Sequence, residues 1–265
     1  MTPTESRLEA GATSVTIAPH DGGRISSLVI DGDELLITEP RDDPIAWGCY
    51  PMVPWAGRLR EGTLHFDATS YELPVDHPPH AIHGTGYTHS WRTVEAGRLA
   101  LALASPWPFG GRVVHDLELT SERLRCQLTV TAGEQRMPAM VGWHPWFRRS
   151  LSAGSRAVLH LEAGQMWQRG ADGIPTGHLV APASGPWDDC FTDLRSDPRI
   201  EWPGVREIRL SSTCQHWVVY DEQEHALCVE PQSGPPNQLN RDPVVLEPHE
   251  SLRARFELAW REISR

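Results

Sequence analysis

Five short stretches of this 265-residue chain concentrate side chains that carry protons or grip hydroxyl groups. In Val141-Gly142-Trp143-His144-Pro145-Trp146-Phe147 an imidazole stands among three aromatic rings, beside a glycine. Read as a strand, the stretch puts Met140, Gly142 and His144 on one face, with His144 expected to look over a ligand-sized gap that the glycine leaves. The competing reading is a packed histidine with a satisfied ring nitrogen. In Ala226-Leu227-Cys228-Val229-Glu230-Pro231-Gln232 an apolar strand ends in a carboxylate that shares its face with Ala226 and Cys228. A glutamate at such a half-buried end costs free energy unless it is paired or functional, and Pro231 holds it extended.

The other three stretches are less specific. Arg58, in Pro54-Trp55-Ala56-Gly57-Arg58, offers a planar guanidinium that suits vicinal hydroxyls and equally suits one of the chain's 35 carboxylates. Trp187-Asp188-Asp189-Cys190-Phe191 reads as a loop-like region with a carboxylate pair, a common solvated turn. The run from His77 to Gly86, with His89 beyond it, is rich in histidine. His77, His80, His83 and His89 would ligate a metal only if a loop folded them together, since nothing supplies the i, i+4 spacing of a zinc helix. A metal-dependent β-barrel isomerase and ordinary loop surface are the two readings of that cluster.

The elements that must position these groups are strands. Leu124, Cys126, Leu128 and Val130 alternate with Arg125, Gln127 and Thr129, and Phe256, Leu258 and Trp260 repeat the period near the C-terminus. Turn signals at Asp31-Gly32, Ala96-Gly97, Ser121 to Arg123 and Asp221 to Glu224 separate such runs. No stretch of a dozen residues keeps a helical stripe. Proline-rich segments (Glu39 to Pro44, His77 to Pro79, Pro106 to Pro108, Pro231 to Pro236) are short and read as loops between strands. The pattern predicts an all-β fold, a large antiparallel sandwich or barrel, forming one domain over residues 1–265.

Bulk properties narrow the function. A net charge of −11 opposes nucleic acid and anionic membrane surfaces as partners and fits a neutral small molecule. There is no lysine among the 24 basic residues, a compositional bias without mechanistic weight. Five scattered cysteines without a C-x-x-C pair argue against a disulfide framework and a zinc knuckle, and with a polar start from Met1 to Gly11 and no apolar run of about 20 residues they predict a cytoplasmic protein.

Taken together and in order, the chain resembles the aldose 1-epimerase (galactose mutarotase) family. The resemblance rests on Gly23-Arg24-Ile25-Ser26-Ser27-Leu28 with Asp33-Glu34-Leu35-Leu36, Gly57-Arg58, Ile82-His83-Gly84, His144-Pro145-Trp146-Phe147, Asp188 to Phe191, Glu230-Pro231-Gln232 to Asn240, and Leu246-Glu247-Pro248. It implies a β-supersandwich fold and interconversion of the α and β anomers of a free aldose, without a metal or organic cofactor, by a monomer or homodimer. It makes Glu230 the general base and His144 the general acid, with Arg58, His83 and Asp188 holding ring oxygen and hydroxyls. Two departures bear on the sugar: His83-Gly84-Thr85 replaces the family's usual His-Gly-Gly, and His144-Pro145-Trp146-Phe147 its His-x-Tyr-Phe. A hexose-6-phosphate branch carries an arginine shortly after its His-Gly, where this chain has Tyr87, with Arg92 close by in sequence. A non-catalytic sugar-binding domain of the same fold and a hexose-6-phosphate mutarotase are the alternatives.

The implied chemistry needs two proton carriers. Opening a hemiacetal takes a proton from the anomeric hydroxyl and delivers one to the ring oxygen as C1–O5 breaks; closure on the other face reverses both. A histidine titrating near its ordinary value of about 6.5 suits the ring oxygen, and a glutamate becomes a useful base once burial raises its pKa. The expectation is that His144 and Glu230 converge from neighbouring strands onto opposite sides of one pyranose-sized hollow.

Overall fold

The computed structural model describes residues 5–39, 42–152 and 156–263; the first four residues and part of the Glu39 to Pro44 loop lie outside them. Two large sheets dominate, and every strand ladder in both is antiparallel. The larger runs, in spatial order, through Ser6–Ala10, Thr13–Ala18, Arg24–Ile30, Cys49–Met52, Gly142–Arg148, Ala226–Gln232, His216–Tyr220, Asp188–Leu194, Ala163–Arg169 and Pro175–Val180, with Asp33–Glu34 added beside Arg24–Ile30. The smaller runs through Arg92–Glu95, Arg98–Ala102, Arg112–Leu119, Arg123–Thr131, Ser251–Glu262, Arg206–Ser212, Arg199–Trp202 and Val158–His160. Helix is confined, among the described residues, to three single 3-10 turns.

The alternation read from the sequence is the alternation of burial. Leu124, Cys126, Leu128 and Val130 are fully buried while Arg125, Gln127 and Thr129 lie at intermediate exposure. Phe256, Leu258 and Trp260 face the same interior from the neighbouring strand. Trp143 and Trp217 of the larger sheet meet Phe256 of the smaller one, with ring centroids 5.7 and 6.3 Å apart. Such flat, large side chains fill the gap of about 10 Å between stacked sheets. Trp143 also reaches His115 across the gap, its Nε1–H donating to His115 Nε2 at 3.2 Å.

Period 2 then decides what the larger sheet shows on its other face. Because Trp143 points into the interior, His144 must point away from it, into a cleft. The five cysteines are all free, and all are buried. Two local expectations change. Asp188–Leu194 is a strand of the larger sheet, not a loop, and the strand carrying Glu230 continues through Pro231 to Gln232. Pro231 is tolerated inside a ladder because its neighbours supply the pairing, Gly142 opposite Gln232 on one side and Trp217 opposite Pro231 on the other.

Candidate functional site

His144 sits in the middle of the larger sheet. Tyr50 is its partner on one side, and on the other the register Gly142↔Gln232 and Trp146↔Cys228 brackets it opposite Glu230. Its Nε2 lies 3.2 Å from Glu230 Oε1. Tyr50 stacks against the imidazole at 4.9 Å and 24°, Trp146 stacks at 5.3 Å and 15°, and His83 meets it edge-on at 4.9 Å. Rings on three sides leave the imidazole one direction in which to act. The two groups therefore converge from neighbouring strands as the sequence suggests, but side by side on one wall and not on opposite sides of a hollow. Cross-strand partners on one face are held at touching distance, so no sugar ring fits between them.

Gly142 plays a different part from the one expected. A Cβ there would lie 2.7 Å from the Pro231 carbonyl oxygen and 2.8 Å from Met52 Cε. The glycine permits close packing of strands beneath the site; it opens no gap.

Burial sets the protonation of the pair. His144 is 5 % and Glu230 2 % exposed. Loss of solvent depresses the imidazole pKa to about 3, helped by the Arg24 cation, in contrast to the near-neutral titration expected of it. The same loss of solvent, reinforced by Asp188, holds the Glu230 carboxyl well above its ordinary value, against opposing pulls from Gln232 and Arg58. Gln232 Nε2–H donates to Glu230 Oε2 at 3.1 Å, which leaves Oε1 turned toward His144.

The remaining predicted residues gather around this pair. Arg58 occupies a two-residue strand, Arg58–Leu59, paired with Ala81–Ile82, and so stands beside His83. Its Nη2 lies 2.9 Å from Asp188 Oδ2, and Arg169 approaches the same carboxylate at 3.5 Å. Asp188 is thus the carboxylate that Arg58 pairs with and a member of the site at once. His83 has φ +58°, a left-handed conformation that is costly for a side-chain-bearing residue. Gly84 follows at φ +78°, where a Cβ would lie 2.0 Å from the Val53 carbonyl oxygen. Gly57 N–H donates to His83 Nδ1 at 3.3 Å, so the ring proton of His83 resides on Nε2, and burial keeps the ring neutral.

Of the other histidines in that cluster only His77 lines the same cleft, at its rim. His80 Nδ1 accepts the Glu61 N–H and its Nε2 donates to the Asp172 carbonyl, which occupies both nitrogens. His89 Nδ1 donates to the Thr85 carbonyl. The four-histidine metal cluster therefore has no common centre. Tyr87 is buried, its hydroxyl donating to Asp76 at 2.8 Å, and it stacks behind Tyr50. Arg92 is exposed on another sheet, and neither it nor Tyr87 lines the cleft. Asn240 and Glu247 serve the scaffold: Asn240 bonds the backbone of Thr63 and His65, and Glu247 pairs with Arg136.

The cleft over His144 and Glu230 has a volume of about 490 Å³, within the range of small-molecule sites. Arg58, His83, Asp188, Trp146 and Gln232 contribute to its wall, and Asp43, His77, Glu222 and His225 to its rim. Sequence reading missed Tyr50, Gln232 and the rim residues Asp43, Glu222 and His225, and singled out His77 only as a candidate metal ligand. Gln232 was visible in principle, two positions after Glu230 and on its face; the rim residues belong to loops that carry no periodic signal. Arg24, quoted only as part of a motif, is a buried clamp. It donates to the carbonyls of Asp21, Pro44, Trp47 and Tyr87 and lies over the rings of Trp47 and Tyr50. It thereby fixes both the ring behind His144 and the segment that leads to the rim.

The antiparallel two-sheet sandwich is a galactose mutarotase-like fold. The aldose 1-epimerase family profile matches residues 5–259. The chain belongs to the aldose 1-epimerase family. It is 28% identical over 240 residues to the uncharacterized protein YphB of Escherichia coli K12, covering 79% of this chain and 82% of that one. Its fold is that of a galactose mutarotase-like protein from Clostridium acetobutylicum, at TM-score 0.85 and 19% identity over 97% of this chain and 95% of the other. It also matches the galactose 1-epimerase of Lactobacillus acidophilus, at TM-score 0.78 and 16% identity over 97% of this chain and 93% of the other. Among the described residues no helix is long and apolar enough to cross a membrane.

Proposed function

We propose that the chain is a mutarotase that interconverts the α and β anomers of a free, non-phosphorylated aldose, with His144 and Glu230 as its proton carriers. The observation that supports this most directly is the 3.2 Å approach of the two groups at the floor of the cleft. Together they hold one exchangeable proton, in either of two layouts: imidazolium with carboxylate, or neutral imidazole with carboxylic acid. Burial favours the second layout in the free site. A shift of the proton to His144, aided by the Arg58 cation, prepares the first.

From that layout ring opening balances. The O1 hydroxyl proton passes to Glu230, the His144 proton passes to O5, the C1–O5 bond breaks and C1=O1 forms. The pair is left in its favoured neutral layout while C1–C2 rotates. Closure on the opposite face returns the proton from Glu230 to O1 and that of the O5 hydroxyl to His144. Because both carriers share one wall, they address O1 and O5 from the same side of the sugar. Arg58, Asp188 and the Nε2–H of His83 hold the hydroxyls, and Trp146 offers a flat surface to the C–H face.

Charge supports a neutral substrate. Asp43, Asp188 and Glu222 line the cleft against one guanidinium, Arg58, which is already paired with Asp188. A phosphate would meet repulsion there. The test is anomer equilibration by polarimetry or NMR across a panel of neutral aldoses and their 6-phosphates. The expected result is acceleration for at least one neutral aldose, with the phosphates poorer, and a loss of about 100-fold or more in His144→Ala. Tight sugar binding without faster equilibration would establish a binding domain instead.

A further inference from the structure

Cys228 takes no part in this chemistry, yet it lies two positions before Glu230 on the same face of the same strand. One donor atom from each of His144, Cys228 and Glu230 lies within 4.8 Å of the others, and all three residues are buried. Among the described residues no other group of three or more potential metal ligands comes together. We propose that these three side chains form a binding site for a thiophilic divalent cation, Zn²⁺ foremost, whose occupancy shuts the site off. The binding claim is independent of the function proposed above; the inhibition rests on it.

The geometry suits the ion. Zn²⁺ binds histidine nitrogen and carboxylate oxygen near 2.0 Å and thiolate near 2.3 Å, which spaces tetrahedral nitrogen and oxygen ligands about 3.3 Å apart and either of them about 3.5 Å from sulfur. His144 and Glu230 already stand at 3.2 Å, so Cys228 Sγ has to close in by about 1.3 Å at most. Three protein ligands leave the fourth position for water, on the side where the cleft opens. Gln232 holds Glu230 Oε2 and so leaves Oε1 to the ion, as outer-sphere partners do. A set with one thiolate selects zinc over magnesium or calcium, which want oxygen alone.

Binding releases the thiol proton of Cys228 and the proton shared by the other two. The ion then sits on both proton carriers, and a sugar cannot be served by either.

Cobalt(II) is the probe, added to chelator-treated full-length protein with no sugar present. One equivalent should give a thiolate-to-cobalt charge-transfer band that Zn²⁺ bleaches by displacement. C228A should lose the band and bind Zn²⁺ at least about tenfold more weakly, since even outer-sphere changes cost 10–100-fold. In equilibration assays C228A should keep its metal-free rate and lose Zn²⁺ sensitivity by the same factor; C228S gives a second variant should the alanine form fold poorly. Absence of the band in the wild type, or undiminished Zn²⁺ affinity in a folded C228A, overturns the site. A chain that shows the band yet equilibrates no sugar when metal-free upholds the site and sinks the mutarotase reading.

Discussion

Replacing Glu230 by glutamine should make the protein more stable while disabling it. The carboxyl is 2 % exposed, and its folded-state pKa is raised by burial and by Asp188 from an ordinary 4.5. Below pH 4.5 the group is protonated in both folded and unfolded chains and costs nothing. As pH rises above 4.5 the unfolded chain ionises while the folded one holds its proton, and stability falls by about 1.4 kcal/mol per pH unit until the folded pKa is reached. Glutamine has the same shape, still accepts the Gln232 N–H, and does not titrate. The stability difference between E230Q and wild type should therefore widen by up to about 1.4 kcal/mol between pH 4.5 and 5.5, or roughly 3–6 °C in melting temperature for a chain of this size. Thermal melts at matched ionic strength across that range measure it, and polarimetry on the same samples should show turnover down by about 100-fold or more. A gap that stays flat with pH, or glutamine-bearing protein that turns over normally, would refute the assignment of a buried, proton-holding Glu230.

Removing the hydrogen bond from Gln232, by Gln232→Leu, should raise the Glu230 pKa further and move the descending limb of the pH–rate profile, where the pair loses its one proton, to higher pH; an unmoved limb removes Gln232 from the site. Arg58→Ala and Asp188→Ala should act mainly on KM, each weakening substrate affinity about tenfold or more, the worth of a charged hydrogen bond, and steady-state kinetics separate this from a loss in kcat. His115, buried and accepting from Trp143, has its pKa lowered by burial from 6.5 to about 4. Protonation therefore favours the unfolded chain, so stability should rise with pH between about 4 and 6.5, and about 3 kcal/mol should be lost on going below that window. His115→Gln should flatten that slope in acid denaturation, and an unchanged slope would assign the acid sensitivity elsewhere.

What the sequence determined alone was everything that depends on short-range periodicity. Alternation fixed the strands of Arg123–Thr131 and Ser251–Glu262, turn residues marked the hairpins, and the same period put Cys228 and Glu230 on one face. The five motif residues were legible because their chemistry is unusual for their surroundings, an imidazole among aromatics and a carboxylate closing an apolar strand. The tertiary structure decided what lies between segments far apart in the chain. Strand order made His144 and Glu230 neighbours on one wall, 86 positions apart, and made Asp188 part of a strand by giving its backbone a ladder partner in His216–Tyr220. Burial, a property of the whole assembly, drove His144 and Glu230 to their neutral forms, where residue type alone suggests an ordinary histidine. The reason is physical: side-chain direction follows from the local backbone, but solvent exclusion and cross-strand register are fixed only when distant strands have packed.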